Sequence, residues 1–201
     1  SRLDELIDEL CPDGVGYIMK GTDAAVVAES EGASLQATLL ISILLRYPEI
    51  SSVRFLPQDG CIGFTFLLRQ PENGVCLASF EHSVLSHLDA FSALGKVEKG
   101  FVSVECKTYG TLTVVEVIRE VKAFSRQELS MLISLIRDHF GDALVVETGD
   151  ALHLEEQMLE EGLIDDILED VRRAGPWREL MGFRDAGRVL IFNKNRHKAR
   201  E

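Results

Sequence analysis

The hydrophobic rhythm of this chain changes from a period of 3.6 to a period of 2 and back again between Ile62 and Glu147. That switch restricts the middle of the chain to strands interleaved with helices. Val53 and Phe55 alternate with Arg54 and Leu56, Asp59 and Gly60 supply a turn, and Ile62, Phe64, Phe66 and Leu68 line one face of a returning strand. Ser79 then reads as the N-cap of a helix carrying Phe80, Val84, Leu88 and Phe91, with Gly95 as its C′ residue. A second hairpin follows. Val102, Val104 and Cys106 alternate with Ser103, Glu105 and Lys107, Tyr109 and Gly110 turn the chain, and 111–121 returns. The adjacent Val114 and Val115 break the alternation, and a β-bulge is expected there.

Ser125-Arg126-Gln127-Glu128 has the S-x-x-E form of a capping box, and the helix it starts buries Leu129, Leu132, Ile133, Ile136 and Phe140. Gly141 ends that helix, and 143–147 is a short apolar strand. From Ile62 onward the order is strand, helix, strand, strand, helix, strand. This predicts an α+β protein with a ferredoxin-like βαββαβ core, an extra hairpin strand from Ser52 to Leu56, and additional helices at both ends. An alternative parse takes 35–68 and 80–121 as two helix-plus-hairpin repeats.

Outside this core, Leu3, Leu6, Ile7 and Leu10 recur at helical spacing opposite Asp4, Glu5, Asp8 and Glu9, so the chain opens on a short amphipathic helix. A weakly patterned stretch from Val15 to Gly32 follows. The segment from Ser34 to Arg46 is apolar on almost every side, which predicts a central helix covered from more than one direction. A last helix is expected from Leu152 to Arg173, with Leu159, Leu163, Ile167 and Val171 at four-residue spacing. Gly175 and Pro176 close it, 174–187 reads as a loop able to separate the end of the chain from the core, and 188–193 reads as a final strand. The organisation expected is thus 1–32 as an N-terminal helix and irregular segment, 33–150 as the core, and 151–201 as acidic helix, loop, strand and basic tail packed on it.

The charge balance, 21 Lys and Arg against 33 Asp and Glu for a net charge of −12, repels phosphate backbones and anionic membranes. Nucleic acid is therefore a disfavoured partner. No stretch approaches the roughly 20 apolar residues of a membrane helix, and the acidic N-terminal stretch lacks the basic and apolar regions of a secretory signal, so a cytoplasmic protein is expected. Cys11, Cys61, Cys76 and Cys106 lie far apart without zinc-ligand spacing, which reads as buried thiols in a reducing cytosol. GxGxxG and GxxxxGK[ST] loops are both absent. Neither a metal nor a cofactor is expected.

Lys99-Gly100-Phe101-Val102 resembles the start of the strand motif of RNA-recognition modules, yet Ser103 and Glu105 stand where that motif needs stacking aromatics. The string Glu9-Leu-Cys-Pro-Asp-Gly-Val-Gly-Tyr17 is similar to a short N-terminal string of type I restriction specificity subunits, whose two large target-recognition domains have no counterpart here.

The most unusual feature is acidic. Eight carboxylates fall between Glu155 and Asp170, and Glu161, Asp165 and Glu169 stack at i, i+4, i+8, where like charges repel. A solvated face accommodates them; a basic partner, or the chain's own tail with Lys194, Arg196 and Lys198, would relieve them. Trp177, the single tryptophan, follows the helix stop and either anchors the last loop or serves as an exposed interface anchor. The function these features point to is a non-enzymatic protein-interaction or regulatory module that self-associates as a homodimer. The alternatives are an enzyme whose site gathers scattered groups such as Glu81, His82, His139 or Cys106, and a nucleic-acid contact through the basic tail.

Overall fold

The alternating stretches fold into hairpins, and the hairpins lie side by side. A computed structural model describes residues 16–19, 31–69, 74–147, 163–185 and 188–193. Its elements are β1 (Gly16–Met19), α1 (Glu31–Arg46), β2 (Ser52–Leu56), β3 (Cys61–Arg69), α2 (Gly74–Gly95), β4 (Val102–Tyr109), β5 (Leu112–Glu120), α3 (Arg126–Phe140), α4 (Leu163–Arg173), β6 (Leu180–Asp185) and β7 (Arg188–Asn193), with a 3-10 turn at Gly141–Ala143. The seven strands form one antiparallel sheet in the order β1-β7-β6-β2-β3-β5-β4.

Register sorts the side chains by face. Val53 lies opposite Phe64, Phe55 opposite Ile62, Phe64 opposite Val117 and Phe66 opposite Val115, and all of these are buried. This face meets the helices, whose buried residues join it in one cluster. Leu39, Leu40, Ile43 and Leu44 of α1 are fully buried because the helix is covered twice, by β6, β7 and β2 on one side and by α4 on the other. On α3, Leu129, Leu132, Ile133, Ile136 and Phe140 are buried as their spacing predicts, and Phe80 of α2 packs on Phe140 with ring centroids 5.1 Å apart.

The ferredoxin-like order does not hold. β3, β5 and β4 are arranged as that fold requires, but the place beside β3 belongs to β2, its own hairpin partner. A five-residue strand joined by a tight turn closes at small entropic cost, which favours it for the place beside β3. Residues 143–147 therefore do not form a strand: Leu144 makes a single bridge to Leu68, and Val145 N donates to Leu67 O at 2.8 Å.

Four other expectations are corrected. The β3–β5 ladder runs without interruption through Val114 and Val115, so there is no bulge; both valines are apolar because Val115 is buried under the helices while Val114 lies half-buried beside Leu67 on the opposite face. Helix α2 begins before Ser79, at Gly74, and its left-handed residue is Lys96 (φ 51°), one position past Gly95. In the capping box, Ser125 Oγ accepts from Glu128 N at 3.2 Å, but the Glu128 carboxylate turns to Arg119 instead of back to the cap. Residues 174–187 are not a separating loop, since β6 lies within them between β2 and β7, and α4, β6 and β7 share the core of the preceding segments.

The expected first helix and the residues 152–162 of the acidic helix fall outside the described residues. From Leu163 onward the latter forms as its spacing predicts, burying Ile164, Ile167, Leu168 and Val171. Each of the hairpins β2–β3, β4–β5 and β6–β7 follows a helix, so the helix-plus-hairpin pattern occurs a third time. No helix among the described residues is long and apolar enough to cross a membrane.

Candidate interaction surface

At one end of the sheet β4 pairs with β5 alone. The hairpin joining them turns through Gly110 (φ 59°) and Thr111, with Tyr109 opposite Leu112; glycine supplies the positive φ that a two-residue hairpin loop needs. The approach to β4 is held from inside. Arg119 of β5, fully buried, donates to the carbonyls of Lys99 (2.7 Å) and Phe101 and pairs with Glu128 of α3. Glu120 takes the Phe101 amide at 3.2 Å, and Lys99 Nζ reaches Asp89 of α2 at 2.6 Å. Gly100 (φ 65°) lies too close to Ala123 and Glu120 for any side chain.

The other side of β4 is open. From Glu105 to Tyr109 every residue is exposed on both faces, and among the described residues none pairs with this edge. Phe101 and Tyr109, at its two ends, are 55% and 53% exposed. Glu120 N donates to Phe101 O at 3.1 Å, which fixes the odd-numbered residues as those bonded to β5. In an antiparallel strand the N–H and C=O of one residue point to the same side. Val102, Val104, Cys106 and Thr108 therefore direct theirs outward.

On the face away from the helices Glu105 lies opposite Glu116 of β5. Both oxygens of Glu116 are already held by Arg54 of β2, at 2.5 and 2.7 Å, across Gly63, where a side chain would strike the carboxylate. This bidentate bond raises the Arg54 pKa, opposed by burial and helped by the charges of Glu116, Glu105 and Glu179. Among the described residues neither Glu105 nor Lys107 makes a salt bridge of its own.

No family model, curated protein or solved structure matches this chain.

The residues singled out in the sequence are placed differently. Asp165 of α4 pairs with Arg126 at 3.0 Å, and Glu169 pairs with Arg173 at 3.1 Å and Arg172 at 3.4 Å, so arginines stand beside the acidic stripe. Arg172 also donates to Val121 O and Phe124 O, fastening α4 to the turn before α3. Trp177 is half-buried: its Nε1 donates to Val171 O at 2.8 Å, and its ring packs near Phe55 and over Gly60. Glu161, Lys194, Arg196 and Lys198 lie outside the described residues.

Of the scattered catalytic candidates, His139 meets Ser83, with Nε2 and Oγ 3.4 Å apart, while its Nδ1 lies 3.0 Å from Leu135 O. The carbonyl can only accept, so Nδ1–H donates to it, and in a neutral ring Nε2 is then the acceptor for the hydroxyl. Glu81 and His82 are exposed and do not join the pair. Partial desolvation raises the Cys106 thiol pKa, and Glu81 raises it further; burial does the same at Cys61, with Asp59 and Glu120 adding to it. Arg119 opposes the shift at Cys61; that thiol is buried as expected, whereas Cys106 is exposed. No cluster of three or more His, Cys, Asp or Glu able to hold a metal occurs among the described residues.

The sequence marked β4 as a hairpin strand but did not mark it as a surface. The available signal was the short pattern Phe101-x-x-x-Glu105-x-Lys107-x-Tyr109, which places two aromatics and two opposite charges on one strand face.

Proposed function

We propose that this chain is a non-enzymatic protein-interaction or regulatory module that self-associates as a homodimer, with the free edge of β4 as its contact surface. One observation carries the reading: among the described residues no strand pairs with the outward backbone groups of four β4 residues, which lie between two exposed aromatic side chains. An open edge is a template for another strand, and proteins that keep such an edge private shorten it, bulge it or place charge or proline on it. The charges on β4, Glu105 and Lys107, are opposite in sign, so they repel a second copy only in registers that oppose like to like. β4 has eight residues, runs in unbroken register with β5 and contains no proline. β1, at the opposite end of the sheet, has four.

Asp165, Glu169 and Trp177 are weaker candidates for contact, because each already has a partner within the chain. A protein partner, rather than a nucleic acid or a membrane, suits the net charge of −12, and the reading includes a cytoplasmic location.

Sedimentation velocity from low to high micromolar protein tests this. The expected result is concentration-dependent dimerisation that Cys106→Pro abolishes. The Cys106 amide points away from β5, so proline there removes no bond within the sheet and the subunit keeps its circular dichroism spectrum. A wild-type chain that stays monomeric throughout the range overturns the reading.

A further inference from the structure

We propose that two copies join edge to edge through β4, antiparallel about a two-fold axis at Cys106, so that Glu105 of each subunit faces Lys107 of the partner subunit. This rests on the self-association reading above and specifies its partner and register.

The choice of register follows from the strand itself. When a strand pairs with its own copy antiparallel, the numbers of facing residues sum to a constant. The outward backbone groups belong to even-numbered residues, so they pair with one another when that constant is even and the axis falls on a residue. An axis at Glu105 sets two glutamates directly against each other, and one at Lys107 sets two lysines; like charges opposed across strands are destabilising. An axis at Val104 pairs Glu105 with the partner's Ser103 and Lys107 with the partner's Phe101, leaving Thr108 and Tyr109 to overhang.

The axis at Cys106 is different on every count. It opposes Glu105 to the partner's Lys107 twice by symmetry and pairs residues 103–109 with one another, Val102 meeting the partner's hairpin turn at Gly110. It joins Val104 to the partner's Thr108 through outward backbone groups. Ser103 faces the partner's Tyr109, which brings Phe101 into diagonal reach of that ring on the same sheet face. The two exposed aromatics and the two charges without salt bridges are thereby used together. Glu105 gains most: it lies opposite Glu116 of β5, which takes the Arg54 hydrogen bonds and leaves Glu105 only the field of that arginine, and the second copy supplies a cation for it to pair with directly.

Charge exchange tests the register apart from the association. Glu105→Lys alone places lysine against lysine at both contacts, and Lys107→Glu alone places glutamate against glutamate. Each is expected to raise the dimer dissociation constant on the order of tenfold. An equimolar mixture of the two variants restores complementary pairs in a heterodimer, and the mixture is expected to dimerise as tightly as wild type. Both residues are exposed, so the subunits fold, which circular dichroism checks. A wild-type dimer that neither substitution weakens, or whose two variants do not rescue one another on mixing, overturns the register and leaves the self-association reading standing. A monomeric wild type removes both.

Discussion

Arg119 and Glu128 form an ion pair between the sheet and α3 in which both side chains are buried, 1% and 2% exposed. The guanidinium gives two further hydrogen bonds, to the carbonyls of Lys99 and Phe101. The pair thus connects the last turn before β4 to the start of α3, and it sets the position of the open edge.

Removing one partner of such a pair leaves a buried charge without compensation, which costs about 3–5 kcal/mol. Glu128→Gln is therefore expected to lose about that much stability in urea denaturation. Ser125→Ala, which deletes only the cap to Glu128 N, is expected to lose about 0.5–2 kcal/mol. If the two variants lose equal amounts, the ion pair is not what holds this corner.

Lys96 closes α2 with φ at 51°, and Val97 N donates to Ser92 O at 3.2 Å, the six-to-one bond of a Schellman motif. Left-handed backbone at a non-glycine residue costs about 1–2 kcal/mol, part of which the greater freedom of glycine in the unfolded chain offsets. Lys96 is exposed, so its replacement removes no buried contact. Lys96→Gly is expected to stabilise the chain by up to about 1 kcal/mol, read as a higher urea midpoint at unchanged slope. A lower midpoint would show that the lysine side chain contributes more than its backbone strain costs.

The elements that sequence reading recovers are those whose pattern is decided locally. The β2–β3 and β4–β5 hairpins, the apolar helix α1 and the capped helix α3 all appear where period and turn residues place them. What the pattern does not carry is neighbourhood. Nothing in 52–56 distinguishes an added strand from the one that occupies the place beside β3, and that choice is what breaks the ferredoxin-like order. The open edge is hidden for the same reason: β4 alternates as any hairpin strand does, and only sheet order shows that among the described residues its second side is unpaired. β1 is four residues in a stretch without rhythm. β6 is lost because two of its three helix-facing positions are Gly182 and Arg184, where an apolar residue is expected.

The glycine that hides β6 also makes its packing possible, and this yields the last prediction. Gly182 faces α1 between Leu40 and Leu44, with Ile191 of β7 beside it. A Cβ at this position would stand 2.8 Å from Ile191 Cδ1, 3.0 Å from Leu44 Cδ1 and 3.4 Å from Leu40 Cβ. The first two are the ends of flexible side chains, but both are buried and have little room to move. Gly182→Ala is expected to destabilise by about 1–3 kcal/mol, the usual cost of an added methyl in a filled core. Ile191→Val removes the closest atom, so the double variant is expected to lose less than the sum of the two single losses when all three are unfolded in urea. Strict additivity would mean that Gly182 and Ile191 do not compete for space, and that α1 can lift from the sheet at this point without penalty.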